Sequence, residues 1–462
     1  MTKKYEMDMT NGNLYKKILI FALPLMLSGL LQLLYNACDI IVIGRFRDHT
    51  ALSAISSTSS LINLITNLFI GLSVGTNIVM AKCYGAKDEV RAKKVAHTAV
   101  VISFITGIIL AIFGIIFAKQ LLLLMGSPSD VIDLATIYIQ IFFAGMPFNL
   151  LYNFGASLLR ASGDTKRPLY FLLISGLFNV GANLLFVLAF NMSTDGVALA
   201  TIISQIISSI LILITLIKEK GYCHISFKDL KIDKDALIDI IKVGLPAGIQ
   251  GTIFSLSNVL IQSSINFFGS YVMAGNGAAS NIEGFVYVCM NAFYNSTLTF
   301  ISQNLGAKKY HNITKILKYN LYFVVLFGGI LGIGAYLGSG FLLNIYTTDP
   351  DVITIGMIRM SLICVPYFLC GMMDVVVGAL RGLGRSTIPM VVSILGVCGL
   401  RVLWIYTIFR ANMNLGLLYL SYPISWIITF LILIACFFYI YQKEIKPFIK
   451  TKKEENILIA NQ

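Results

Sequence analysis

The sequence has little charge and lacks the residue patterns that mark a catalytic centre. Only 12% of its 462 residues are charged, and no catalytic triad, nucleophile elbow or phosphate-binding glycine loop occurs in it. Its four histidines lack metal-ligand spacing, and its eight cysteines never form a Cys-x-x-Cys pair. We therefore expect neither an enzyme nor a protein with a cofactor or a structural metal site.

Apolar residues dominate the chain. They make up 57% of it, with a mean hydropathy of +0.81, more than a soluble core of this length needs. Apolar runs of about 20 to 28 residues recur throughout, each long enough as a helix to cross a membrane. The pattern predicts an all-α integral membrane protein, and it predicts twelve spans at 17–44, 52–80, 95–118, 131–159, 168–190, 195–217, 242–269, 275–301, 319–344, 353–380, 387–409 and 416–441.

The distribution of basic residues predicts the orientation of these helices. The net charge is +13, and with the amino terminus placed inside, all but six of the 35 Lys and Arg fall on that side. This is the asymmetry of the positive-inside rule, so both termini are expected to be cytoplasmic. No basic stripe with interleaved aromatics indicates nucleic-acid binding. The six exceptions are Arg45, Arg47, Lys119, Arg359, Arg401 and Arg410.

The chain repeats itself at a shift of about 221 residues. "YGAKDE" at 84–89 corresponds to "LGAKKY" at 305–310, and "LLRASGDTKRP" at 158–168 to "ALRGLGRSTIP" at 379–389. "SDVI" at 129–132 likewise corresponds to "PDVI" at 350–353. Because each half has an even number of spans, the copies form a parallel repeat of two six-helix bundles. We predict an N-lobe at 1–217, a cytoplasmic linker at 218–241 and a C-lobe with a basic tail at 242–462.

Glycine and proline suggest local features of these bundles. The Gly-Ala-Lys and Arg-x-x-Gly segments are expected to end helices, with glycine in the left-handed conformation. Gly71 and Gly75 have the small-xxx-small spacing of closely packed helices. Four prolines within spans are candidate kinks: Pro24, Pro147, Pro246 and Pro366.

Three carboxylates lie well inside predicted spans, at Asp39, Glu283 and Asp374. A charged side chain there is costly, so each is expected to face the protein interior or a wet cavity. None has an acidic counterpart in the other half of the repeat, which favours a role in function over one in the scaffold. The structural alternative is an ion pair with one of three arginines, Arg45, Arg359 or Arg401.

Polar neutral residues accompany Asp39 as candidates for cation coupling. Asn36 precedes it by three residues on the same helical face, where it could bind the carboxylate or share a cation with it. Asn179 and Asn183 complete the predicted group. Carboxylate and amide oxygens suit Na⁺, and a desolvated carboxylate equally suits a proton. A transported Na⁺ at Asp39 or Asp374 is the only metal expected.

The sequence resembles the multidrug and toxic compound extrusion (MATE) family over about residues 12–445. The resemblance rests on "LPLMLSGLLQLLYNACDIIVIGRF", "GLSVGTNIVMAKCYGAKD", "LLRASGDTKRP", "QNLGAKK" and "GALRGLGRSTIPM". It implies two six-helix lobes around a V-shaped cleft and export of cationic, lipophilic compounds against inward flow of Na⁺ or H⁺. Asp39 matches the family's helix-1 acid and Asp374 its helix-10 acid. Asn183 replaces a second acid, and the helix-7 glutamate is absent around Phe254.

We therefore expect an antiporter of a bacterial cytoplasmic membrane that works as a monomer by alternating access. Asp39 would take up the ion from outside and favour substrate release. Glu283 and Asp374 would attract the cationic substrate. The further candidates for substrate binding are polar or aromatic residues within spans: Gln32, Asn153, Tyr35, Phe154 and Tyr287.

Two other transport functions remain open from the sequence. A flippase for a lipid-linked saccharide or another anionic lipid would need arginine or lysine inside the cleft, where acids outnumber bases and Arg401 is the main exception. A sodium-coupled importer would use the same buried acids, so composition does not exclude it.

Overall fold

Long helices account for almost all of the chain in a computed structural model, which describes residues 5–47, 49–125 and 131–449. No strand occurs within these ranges. The helices of the first half are α1 (Leu14–Phe46), α2 (His49–Ala86), α3 (Glu89–Leu124), α4 (Ile132–Ala144), α5 (Met146–Ala161), α6 (Lys166–Leu184) and α7 (Thr194–Lys218). Those of the second half are α8 (Lys234–Asn266), α9 (Ser270–Gly306), α10 (His311–Leu337), α11 (Ser339–Asn344), α12 (Pro350–Arg359), α13 (Phe368–Gly382), α14 (Thr387–Ser393), α15 (Leu400–Trp404) and α16 (Leu415–Ile440).

The number of long helices agrees with the twelve predicted. Among the described residues, ten helical segments are long and apolar enough to cross a membrane, and α4 with α5, bent by 46°, gives an eleventh. The remaining long helix is α9, whose 37 residues exceed the length of a span although its polar side chains lower its hydropathy. Several ends differ from the prediction, and α10 begins at His311 instead of residue 319.

Two of the four prolines singled out in the sequence lie at helix breaks. Pro147 is the second residue of α5, immediately after the bend at Gly145. Pro366 lies in a 3-10 turn that follows the π-helical turn Met360–Cys364. Pro24 and Pro246 lie inside α1 and α8, which continue through them.

The loops of the repeat have the same conformation in both halves. Gly163 and Gly384, which end the Arg-x-x-Gly segments, have φ of +93° and +82°, as predicted. In the Gly-Ala-Lys segments the prediction was wrong, because Lys87 (φ 57°) and Lys308 (φ 54°) take the left-handed conformation instead of the glycine. In both halves the helix continues through the glycine, and the left-handed conformation falls on the lysine two residues later. The "SDVI" anchor begins at residues 129–130, outside the described ranges.

Packing divides the chain into two compact units. The first contains Met1–Asp8 and Leu27–Thr252, and the second contains Met9–Met26 and Ile253–Gln462. The unit boundaries fall within α1 and α8, whereas the sequence placed its lobe boundaries at residues 217 and 242. Those lobes and the cytoplasmic linker stay a prediction.

Glycines allow the first part of α8 to pack closely on α2 within the first unit. A Cβ added to Gly71 would lie 2.2 Å from the backbone nitrogen of Gly248. A Cβ added to Gly75 would lie 2.8 Å from the Cα of Gly244. These distances leave no room for a side chain, so the close-packing role predicted for the Gly71–Gly75 pair is confirmed.

Candidate cation and substrate sites

Asp39 is buried in the first unit, where its hydrogen-bonding partners carry no charge. It is 9% exposed, and the Asn183 side-chain amide donates to its Oδ1 at 2.5 Å. The same amide nitrogen lies 3.3 Å from Oδ1 of Asn179, and the Thr201 side chain is a second hydrogen-bonding partner of the carboxylate. The structure therefore brings together three of the four residues predicted for cation coupling.

The local structure of α6 holds the two asparagines in this arrangement. Asn179 and Asn183 are four residues apart and so project from the same face of the helix. Directly after them the helix widens into the π-helical turn Leu185–Ala189, a feature often found at functional sites. Arg47 does not pair with Asp39, because its guanidinium donates to the carbonyls of Val187 and Met192 at 2.5 and 2.7 Å.

Within the described structure the carboxylate of Asp39 has only neutral hydrogen-bonding partners, so no basic side chain compensates its charge. A charged aspartate inside a membrane helix costs about 3 kcal/mol on insertion scales, and two neutral hydrogen bonds offset only part of that. Oδ1 of Asn183 is also buried and has no hydrogen-bonding partner in the described structure. A proton on Asp39, or a Na⁺ between the carboxylate and amide oxygens, would compensate the charge. Among the described residues no cluster of His, Cys, Asp and Glu forms a multidentate metal site.

Other predicted residues on α1 lie apart from this carboxylate. Gln32 and Asn36 are exposed, and the described contacts include no hydrogen bond from Asn36 to Asp39. Tyr35 instead packs on α6, where a Cβ added to Gly176 would lie 1.8 Å from its ring. Its buried hydroxyl has no hydrogen-bonding partner in the described structure. Tyr35 therefore stays a candidate for substrate binding.

The two candidates on α5, Asn153 and Phe154, make their contacts within the protein. Asn153 donates to the carbonyl and side-chain oxygens of Asn149, one turn earlier, at 2.9 and 3.1 Å. Phe154 is fully buried within the hydrophobic core of the first unit. The stacking role expected for Phe154 is therefore wrong, because no face of its ring is accessible.

In the second unit, Asp374 and Tyr287 meet between α13 and α9. Tyr287 is a hydrogen-bonding partner of the carboxylate, and both side chains are partly exposed. Arg381, two turns further along α13, donates from Nη1 to the hydroxyl of Tyr294 at 2.5 Å. An acid beside an accessible aromatic ring is a suitable pair for an organic cation. The sequence named both residues for substrate binding, and the structure makes them neighbours.

Glu283 is neutralised by an arginine. Nε and Nη2 of Arg359 donate to its two carboxylate oxygens at 2.9 and 2.7 Å, and Nη1 donates to Asn276 at 2.6 Å. Both ionic side chains are about 5% exposed. The ion pair that the sequence analysis left open as the structural alternative is therefore present. The prediction that Glu283 attracts a cationic substrate is wrong, because Arg359 already compensates its charge.

A second buried arginine, Arg401, lies against aromatic rings, one of which, Tyr422, also lies next to Arg359. Its guanidinium is 4.0 Å from the ring centroid of Tyr422 and 5.7 Å from that of Trp426. Its Nε donates to Ser425 at 3.0 Å. Sequence analysis considered Arg401 as the main basic exception within the spans and as a possible ion-pair partner of a buried acid, and among the described residues it forms no such pair. Its position in the middle of the apolar run 387–409 was the available signal.

The MatE family model matches this chain twice, at residues 24–185 and 246–407. The chain belongs to the MatE family. The two matches coincide with the two copies of the internal repeat and cover most of the helices described above. Together with the helical fold, they make the chain a multi-pass membrane transporter and not an enzyme.

Curated relatives and solved structures cover nearly the whole chain. The probable multidrug resistance protein YoeA of Bacillus subtilis (strain 168) is 27% identical over 440 residues, covering 94% of this chain and 95% of its own. The multidrug export protein MepA of Staphylococcus aureus (strain MSSA476) is 23% identical, covering 82% and 84%. An outward-facing multidrug resistance MATE family transporter of the MOP superfamily superposes with a TM-score of 0.89 at 21% identity, covering 97% and 100%. This likeness shows the MATE fold.

Proposed function

We propose that this MatE transporter exports organic cations by antiport with Na⁺ or H⁺, and that Asp39 binds the coupling ion. The observation that carries the proposal is the burial of Asp39, which has only neutral partners among the described residues and lies beside an oxygen of Asn183 that has no partner there. A permanently paired carboxylate, like Glu283, has its charge compensated within the protein. The charge of Asp39 is compensated only when an ion from solution binds to it. The conformation that buries Asp39 is therefore favoured when the ion is bound, and this preference couples ion binding to conformation.

The substrate would meet Asp374 and Tyr287 in the second unit. A carboxylate next to an aromatic ring attracts a lipophilic cation by charge and by its π face. Relatives named for multidrug resistance and export agree with such a broad specificity. We retain Gln32 and Tyr35 as further substrate candidates, and we propose a monomer in a bacterial cytoplasmic membrane with both termini cytoplasmic.

A reconstituted efflux assay tests this function. Proteoliposomes would be loaded with a fluorescent organic cation, and release would be followed under a Na⁺ gradient at equal pH and under a pH gradient without Na⁺. We expect one of the gradients to drive release by wild type. Asp39→Asn should reduce gradient-driven release by about tenfold or more, the size of a typical coupling free energy.

The exposed Asp133 on α4 supplies a matched control, because Asp133→Asn removes the same charge from the surface of the same unit. This variant should transport like wild type. The coupling role of Asp39 would be refuted if Asp39→Asn kept the wild-type response to both gradients. Transport of the dye by wild type under neither gradient would refute antiport of organic cations.

A further inference from the structure

Arg401 carries a buried positive charge that no carboxylate of the described residues neutralises. It is 5% exposed, and among the described residues its side chain makes one hydrogen bond, from Nε to Oγ of Ser425 at 3.0 Å. Its two terminal nitrogens make no hydrogen bond within the described part of the chain. A guanidinium has five N–H donors, so most of its hydrogen-bonding capacity remains free for a ligand.

Arg359 is a comparison within the same cluster. Both arginines are 5% exposed and both lie over the ring of Tyr422, at 5.6 Å for Arg359 and 4.0 Å for Arg401. Arg359 nevertheless has three side-chain acceptors, two on Glu283 and one on Asn276. Both arginines thus share the aromatic face, and what distinguishes Arg401 within the described structure is that its two terminal nitrogens have no acceptor.

The repeat places Arg401 opposite a residue of the cation site. The loop glycines Gly163 and Gly384 are 221 residues apart, whereas the two family matches end 222 residues apart. The π-helical turn Ile394–Gly399 explains the difference, because i→i+5 bonding accommodates one extra residue and α6 is α-helical at the corresponding place. After this turn the offset is 222, and Arg401 corresponds to Asn179.

The same correspondence reverses the polarity of the site. Asp39 corresponds to Ile261, at the offset of 222 with which the family matches begin. Thr201 corresponds to Tyr422, counted from the first residues of α7 and α16. In the second unit Ile261 thus replaces the acid Asp39. Arg401 on the ring of Tyr422 replaces Asn179 beside the hydroxyl of Thr201. The position that suits a cation in one unit suits an anion in the other.

We propose that Arg401 binds a monovalent anion, which is the carboxylate of a transported organic compound. A planar guanidinium binds a carboxylate through two parallel hydrogen bonds. A row of aromatic rings connects Arg401 with Asp374: Trp426 lies 5.3 Å from Tyr367, and Tyr367 lies 6.2 Å from Tyr287, the partner of Asp374. This inference rests on the proposed export function and specifies its substrates as zwitterions, with the cationic group at Asp374.

The row of rings supports a single site for both charges, because it begins at Tyr287 and ends at Trp426, whose ring centroid lies 5.7 Å from the guanidinium of Arg401. Tyr367 and Tyr422 are partly exposed, so a ligand can reach the ring faces between the two charges. Inorganic chloride offers the same charge as a carboxylate but gains nothing from the rings.

Rhodamine B and its methyl ester test the proposal, because both carry the same cationic ring system and only rhodamine B has a free carboxylate, which makes it a zwitterion. Binding would be measured by thermal stabilisation of purified protein, and export by release from proteoliposomes. We expect wild type to bind rhodamine B at least about tenfold more tightly than the ester. Arg401→Gln should lose this preference while it still exports the ester. Arg410→Gln, which removes an exposed arginine nine residues later, should keep the preference.

Other outcomes are decisive. Equal binding of both dyes by wild type would overturn the carboxylate site. Loss of both dyes together with a lower melting temperature in Arg401→Gln and Arg401→Met would make Arg401 a structural residue. Stabilisation of wild type by sodium chloride but not by rhodamine B, abolished in Arg401→Gln, would assign the anion to halide and overturn the organic ligand. Failure of the export function itself is distinct, because the ester would then not be exported by any variant.

Discussion

Breaking the pair of Glu283 and Arg359 should strongly destabilise the second unit, whereas removing both charges should not. The two side chains are about 5% exposed and joined by two hydrogen bonds of 2.9 and 2.7 Å. Loss of one partner from such a buried pair costs about 3–5 kcal/mol, because the other charge is left uncompensated. Glu283→Leu and Arg359→Met should each lose about that free energy of unfolding. The double variant should lie within about 1 kcal/mol of wild type or above it.

Thermal unfolding in detergent, followed with a thiol-reactive dye, measures this cycle. Cys289 and Cys364 are buried in the second unit and would report its opening. A coupling free energy below about 1 kcal/mol would refute the structural reasoning. Export of a cationic dye supplies the second readout, because the double variant should recover transport if Glu283 serves only to neutralise Arg359. A double variant that is stable but inactive would show that Glu283 has a role in transport beyond the neutralisation of Arg359.

Two further predictions concern the backbone. Gly248→Ala should cost about 1–3 kcal/mol by overpacking, since its Cβ would lie 2.1 Å from the Leu68 carbonyl oxygen, whereas Gly329→Ala, with open space around it, should be neutral or stabilising in thermal unfolding. Equal melting temperatures for these two variants would contradict the packing of α2 on α8. Lys308→Gly should stabilise by up to about 1 kcal/mol, because the left-handed conformation strains lysine, and Gly384→Ala should destabilise by a similar amount. The opposite signs would show that these loops take another conformation.

Hydropathy and the internal repeat predicted the helices because both depend on local sequence. The helix α9 was still found, because its apolar run at 275–301 is long enough for a span despite its polar side chains. Helix ends were less well predicted, as in α10, because the apolar run does not show how far a helix extends into the polar layer. The left-handed Lys87 and Lys308 were missed for a related reason: helix propensity carried the chain past the glycine.

The partners of the buried charges depend on which helix faces meet, and one sequence does not contain that information. Asp39 and Asn183 are 144 residues apart, and Glu283 and Arg359 are 76 residues apart. Composition treated Glu283 and Asp39 as similar acids, whereas the packing of α9 on α12 gives only Glu283 an arginine. The ionic environment of a buried carboxylate therefore distinguishes the two, and that environment requires the tertiary structure.

All eight cysteines are free thiols, and six of them are buried. Cys38 is one of the two that are partly exposed, and it directly precedes Asp39 in the chain. The native protein thus has a chemical handle one residue from its proposed ion-binding carboxylate. A spectroscopic label attached there would report occupancy and motion at α1 without the construction of a cysteine-free background, provided that Cys436 is replaced.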